Sequence, residues 1–130
     1  MRHARVLAGL ALTVTACGAA SASAPHSGIA GRVVAGPTCP VQRIPPDPAC
    51  APRPLAATLR VRRADGRGAA TTVRSASDGR FRVALAPATY VVTPQAPRGS
   101  PFPRPPAASR VRVRSGRLTR ITIAYDTGIR

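Results

Sequence analysis

Four stretches of this chain alternate large apolar residues with arginine, threonine or, once, alanine. They are Thr58-Leu59-Arg60-Val61-Arg62, Phe81-Arg82-Val83-Ala84-Leu85, Val111-Arg112-Val113-Arg114 and Thr119-Arg120-Ile121-Thr122-Ile123. A period of two belongs to a half-buried strand, whose successive side chains leave opposite faces. Apolar residues face inward in each stretch, and Arg60, Arg62, Arg74, Arg80, Arg82, Arg112, Arg114 and Arg120 face solvent. Frequent proline and glycine disfavour long helices.

The rest of the chain fits the same architecture. Gly28 to Ala35 opens with a short first strand, and Ala69 to Ser75 forms another around Val73. Asp65-Gly66, Ser77-Asp78-Gly79-Arg80 and Ser115-Gly116 are turns, because aspartate and glycine tolerate positive φ. A corner at Ala86 to Thr89 leads into Tyr90-Val91-Val92. Pro94 to Pro106 reads as extended or polyproline-like. The spacing predicts an all-β domain: an antiparallel Greek-key β-sandwich of about seven strands, with one core between two sheets. With Phe81, Tyr90, Phe102 and Tyr125 as the whole aromatic set, that core is built from Val, Ile and Leu.

Three cysteines divide into one and two. Arg2 and Arg5 precede an apolar run, Val6 to Ala16, that is too short to span a bilayer, and Cys17 follows it directly. This is the order of a lipoprotein leader, with Cys17 cut and acylated. More than one acyl chain gives stable anchoring, at about 0.8 kcal/mol per buried methylene. The expected organisation is a signal peptide over 1–16, a flexible tether over 17–27 and a folded domain over 28–130. A cut after Ala20-Ser21-Ala22 would instead release a secreted protein. Cys39 and Cys50 remain, closing a proline-rich loop of about a dozen residues, and a bridge there is worth roughly 3 kcal/mol in the chain-entropy picture. His26 alone is too little to make a zinc site with them.

Net charge is +16, carried wholly by arginine, with no lysine, asparagine or glutamate. Codon bias accounts for arginine replacing lysine but not for the shortage of acids. Only Asp47, Asp65, Asp78 and Asp126 oppose the arginines. Such a surface is drawn to polyanions, less so as salt rises. If the third, sixth and seventh strands share a sheet, Arg74, Arg112, Arg114 and Arg120 gather on one face as an anion-binding set. Nucleic acid is not expected as a partner, since exposed aromatics are few and there is no recognition helix.

Gly28-Ile29-Ala30-Gly31-Arg32-Val33, Ser77-Asp78-Gly79-Arg80-Phe81 and Leu85-Ala86-Pro87-Ala88-Thr89-Tyr90 together resemble the carboxypeptidase regulatory-like, or transthyretin-like, β-sandwich family. The resemblance spans most of 28–130. It implies a tyrosine corner of Leu85, Pro87 and Tyr90, in which the Tyr90 hydroxyl bonds back to nearby backbone. The chain departs from the pattern at Ala88, where the family usually has glycine, and in carrying the disulfide loop as an insertion. Modules of this kind mostly support folding, contact partners or decorate surfaces, and the resemblance implies no peptidase.

Catalytic sets are missing. Asp126-Thr127-Gly128 matches an aspartic-protease tripeptide, but that chemistry needs two carboxylates sharing a proton. His26 lies in the predicted tether, leaving no positioned base for a nucleophile. The expected protein is a non-enzymatic cell-envelope lipoprotein without cofactor or metal, lipid-anchored outside the cytoplasmic membrane or on the outer membrane. Its expected contacts are the membrane and an envelope polyanion or protein. The alternative is a secreted binding protein or peptidase inhibitor presenting the stapled loop 37–54.

Overall fold

In the computed structural model, residues 26–130 are described. The leader 1–16, Cys17 and the tether up to residue 25 lie outside the described residues. Strands form at Gly28–Gly36 (β1), Arg53–Pro54 (β2), Thr58–Arg63 (β3), Thr71–Arg74 (β4), Arg80–Ala84 (β5), Ala88–Pro94 (β6), Ser109–Val113 (β7) and Leu118–Asp126 (β8). A single 3-10 turn, Pro48–Cys50, is the only helical element among the described residues. Two four-stranded sheets pack face to face. The chain is therefore an all-β sandwich.

β1 is the hub of the first sheet. It pairs antiparallel with β5 through Gly28–Arg32 and then with β2 at Val34 and Ala35. Along its other edge it pairs with β8 in register from Gly28↔Leu118 to Gly36↔Asp126. This pair runs parallel, the one departure from an antiparallel arrangement. Parallel partners need a long crossover, and here the crossover is the whole intervening domain. The second sheet runs β4-β3-β6-β7.

Alternation in each strand delivers one face to the core. Ile29 and Val33 of β1, Leu59 and Val61 of β3, Phe81 and Val83 of β5, Tyr90 and Val92 of β6, Val111 and Val113 of β7, and Ile123 and Tyr125 of β8 form one buried cluster. Two hydroxyls fasten its ends. Ser75 Oγ donates to Leu55 O at 2.7 Å and accepts from Ala57 N at 2.8 Å. Ser27 Oγ donates to Leu85 O at 2.7 Å. Ser27 is 4% exposed, so it belongs to the domain and not to the tether in which the sequence placed it. The Tyr90 hydroxyl donates to Ala86 O at 2.7 Å across the same corner.

The proline-rich loop is closed by the Cys39–Cys50 disulfide, with a Cα–Cα distance of 5.3 Å. Asp47 accepts from Ala49 N at 2.9 Å and caps the 3-10 turn. The bridge and proline stiffness are not the loop's whole support. Arg53 and Pro54 pair with β1, and Leu55 N donates to Val33 O at 3.0 Å. Pro54 is tolerated because this pairing sits at a sheet edge.

Candidate functional site

The four arginines grouped from the sequence do not come together. Arg74 on β4 and Arg112 on β7 lie at opposite edges of the second sheet. Arg114 lies just beyond the end of β7, and Arg120 is in the first sheet, beside β1. The reason is the parallel β1–β8 pair, which removes the last strand from the sheet holding β4 and β7.

What replaces that group is denser. On the outer face of the first sheet, Ala30 is flanked by Arg82 of β5 and Arg120 of β8. In the next row, Arg32 stands directly opposite Arg80, with Thr122 on its other side. Strand spacing puts the Arg82 and Arg120 backbones about 10 Å apart across Ala30. Ala30 is only 7% exposed although it faces outward, consistent with long arginine stems lying over it. A shallow cavity of about 560 Å³ is lined by Ala30, Arg32, Arg80, Arg82, Leu118 and Arg120.

The second sheet spaces its charges differently. Arg60 faces Thr72 and Thr93, Arg62 faces Val91, and Arg112 faces Thr89. No two arginines are direct cross-strand partners there, whereas Arg32 and Arg80 are. Like charges directly opposite on neighbouring strands are destabilising, so the first sheet holds a repulsion that the second avoids.

Little acid is at hand to relieve it. Among the described residues, salt bridges join Arg63 to Asp65 at 2.9 Å, Arg130 to Asp126 at 2.8 Å and, at 4.0 Å, Arg80 to Asp78. Asp47 is engaged in capping. Arg32, Arg82 and Arg120 have no carboxylate within ion-pair distance among the described residues. The Arg130 guanidinium beside Asp126 holds that carboxyl well below the usual carboxylate range, with a further contribution from Gly128 N–H. Asp126 thus ends a strand in a charge-paired turn, and among the described residues no second carboxylate is grouped with it.

Sequence reasoning placed Arg80 and Arg82 on a solvent face without joining them to Arg120. Their turn and alternation were visible, but their neighbours on β1 were not.

Two further features lie at the other end of β1. The loop tip carries Ile44, 99% exposed, and the exposed Val41. Nearby, a cavity of about 510 Å³ opens between Leu55–Thr58 and Gln95–Arg98, with Arg74, Pro103 and Tyr125 completing its walls. The arginine rows sit at the third and fifth residues of β1, so the remainder of the nine-residue strand separates them from the loop by about 13–20 Å.

Two sheets, one core and crossovers between the sheets define an Ig-like β-sandwich. Among solved structures the chain is similar to GBS52, the minor pilin of the Gram-positive pathogen Streptococcus agalactiae, with a TM-score of 0.57 and 16% sequence identity. The match covers 79% of this chain and 45% of that one, so the chain spans less than half the length of the pilin. No protein-family model matches the chain, and no curated protein is similar to it in sequence.

Proposed function

We propose that the chain is a non-enzymatic interaction module of the bacterial cell envelope, and that the outer face of its first sheet takes up anionic envelope polymer. One observation carries this reading: Arg32 opposite Arg80, with Arg82 and Arg120 in the adjoining row, makes a concentrated cationic face that this acid-poor chain leaves largely unneutralised. Guanidinium groups bind phosphate and carboxylate bidentately, and such contacts would relieve the cross-strand repulsion. The similarity in fold to a minor pilin is compatible with a structural or interaction role. The three motifs quoted above support kinship with the carboxypeptidase regulatory-like family.

The test is polymer binding as salt is varied. Labelled polyphosphate should bind the full chain at 50 mM salt and lose roughly ten- to a hundredfold in affinity by 200 mM, as expected for three or four ionic contacts. Replacing Arg32, Arg80, Arg82 and Arg120 by glutamine should remove most of the binding. The same change at Arg60, Arg62, Arg110 and Arg112 removes equal charge from the other sheet and should cost much less. Equal losses in the two variants would reduce the face to bulk charge and overturn the reading.

The reading further includes a leader over 1–16, acylation of Cys17 and a tether to the outer side of a membrane. The tether would enter at the Gly28 end of β1, which sets the arginine rows near the membrane and the stapled loop away from it. Intact-mass analysis of protein from native membranes should find an acylated N-terminus at Cys17 and a Cys39–Cys50 bridge. A second reading, a secreted binding protein or peptidase inhibitor presenting loop 37–54, is favoured by the full exposure of Ile44 on a cross-linked loop. Recovery from the medium, with an N-terminus after residue 20, would decide for that second reading.

A further inference from the structure

The cavity at the Gly36 end of the sandwich is independent of the arginine rows and differs from them chemically. Its apolar lining is small: the buried Ala57 and half-buried Leu55, Pro97 and Pro103, with the exposed Ala56 and Ala96 at its edge. Its rim carries two guanidinium groups, Arg74 and Arg98. A volume of about 510 Å³ lies within the range of small-molecule sites.

The backbone around this cavity is pinned from several directions. The Tyr125 hydroxyl donates to Gln95 O at 2.7 Å, and Gln95 N donates to Thr58 O at 2.9 Å. Gln95 Nε2 donates to Thr93 O at 2.9 Å, which draws that side chain back along its own segment. Ser75 holds Leu55 O and Ala57 N, fixing the floor. The space is therefore preformed and kept open by alanines.

The rim charges lack an internal partner. Arg74 donates to Thr58 Oγ1 at 3.3 Å, and neither it nor Arg98 forms a salt bridge among the described residues. All four aspartates of the chain are already engaged: three in ion pairs and Asp47 in its cap. An anion that answers these arginines must come from outside the chain.

We propose that this cavity binds a carboxylate carried on a compact apolar body, as in a small free acid or the C-terminal residue of a peptide. The guanidinium rim takes the carboxylate bidentately, while the alanine, leucine and proline surface covers the apolar part.

The test is a titration of the ¹⁵N-labelled full chain with N-acetyl-leucine, its uncharged amide and the peptide acetyl-Ala-Ala-Leu with a free carboxylate. N-acetyl-leucine should shift the amide signals of Ala57, Gln95, Ala96 and Tyr125 saturably, and the amide analogue should bind at least tenfold more weakly. Arg98→Gln should weaken binding about tenfold, and Ala96→Phe, which fills the exposed side of the cavity, should abolish it with the spectrum otherwise unchanged. Tighter binding of the peptide acid than of N-acetyl-leucine supports the site with a peptide C-terminus as its source; weaker binding supports it with a free acid. Acid and amide binding alike, shifts confined to the first-sheet arginine face, or an Ala96→Phe chain that binds normally would each overturn the proposal. The glutamine variant of Arg32, Arg80, Arg82 and Arg120 should retain this binding, which separates the result from that for polymer.

Discussion

Gly31→Ala should destabilise the domain by about 3 kcal/mol or more, beyond the ordinary cost of overpacking a core. Gly31 lies in the middle of β1, between Phe81 of β5 and Ile121 of β8. A Cβ built on Gly31 falls inside the Ile121 carbonyl oxygen, far below contact distance, and 3.2 Å from Phe81 Cε1. The obstructing atom is backbone and cannot rotate away, so β8 must move off β1 along the pair that ties the two ends of the chain together. Gly116→Ala is the control. Gly116 has φ +69° and an added Cβ would meet nothing within 4 Å, so only the left-handed backbone is penalised, by about 1–2 kcal/mol. Thermal melts should place Gly31→Ala lower by more than about 12 °C, at 4–8 °C per kcal/mol for a domain near this size. A Gly31→Ala midpoint at or above that of Gly116→Ala would show that β8 does not press on β1 as described.

Tyr125→Ala should cost about 3–5 kcal/mol, the range for emptying an aromatic core position. Tyr125 is 1% exposed and is the largest fully buried side chain among the described residues. It also anchors the Pro94–Pro106 segment through Gln95 O, so its loss frees that segment as well as opening the core. Tyr125→Phe separates the two roles: packing is kept, Gln95 O loses its donor, and the expected cost falls to about 1–3 kcal/mol. Burial pushes the Tyr125 phenol above its ordinary value of 10.0. A group whose folded-state pKa is raised contributes stability below its unfolded value. That contribution disappears as pH climbs from about 10 through the raised value. Denaturant melts at increasing alkaline pH should show this decline in the parent and a smaller one in Tyr125→Phe. A parent and variant with parallel pH profiles would contradict the burial of a protonated phenol at this position.

The three surface features fall at two ends of one strand, and this limits how they can act together. Arg32, Arg80, Arg82 and Arg120 cluster on the first half of β1, while the stapled loop and the cavity sit around its finish. One large partner lying along β1 could reach both ends; two small ligands would not meet. The proposed polymer and carboxylate sites therefore answer to separate variants.

Much of this was legible in local pattern. Leu59 and Val61 against Arg60 and Arg62, or Phe81 and Val83 against Arg80 and Arg82, state which face is buried without reference to any other strand. A two-residue period is a property of the strand alone. The Asp65-Gly66 and Ser77-Asp78-Gly79 turns and the Cys39–Cys50 closure are likewise short-range, and they lie where their residues put them. Strand partnership is different in kind. An outward arginine satisfies the alternation equally well in either sheet, so nothing near Arg120 reports that it will lie across Ala30 from Arg82 and in a different sheet from Arg74 and Arg112. That outcome came from the first and last strands closing in parallel, and the cavity from Gln95–Arg98 folding over Leu55–Thr58. Both depend on contacts between residues distant along the chain, which local periodicity cannot encode and only the packed sandwich decides.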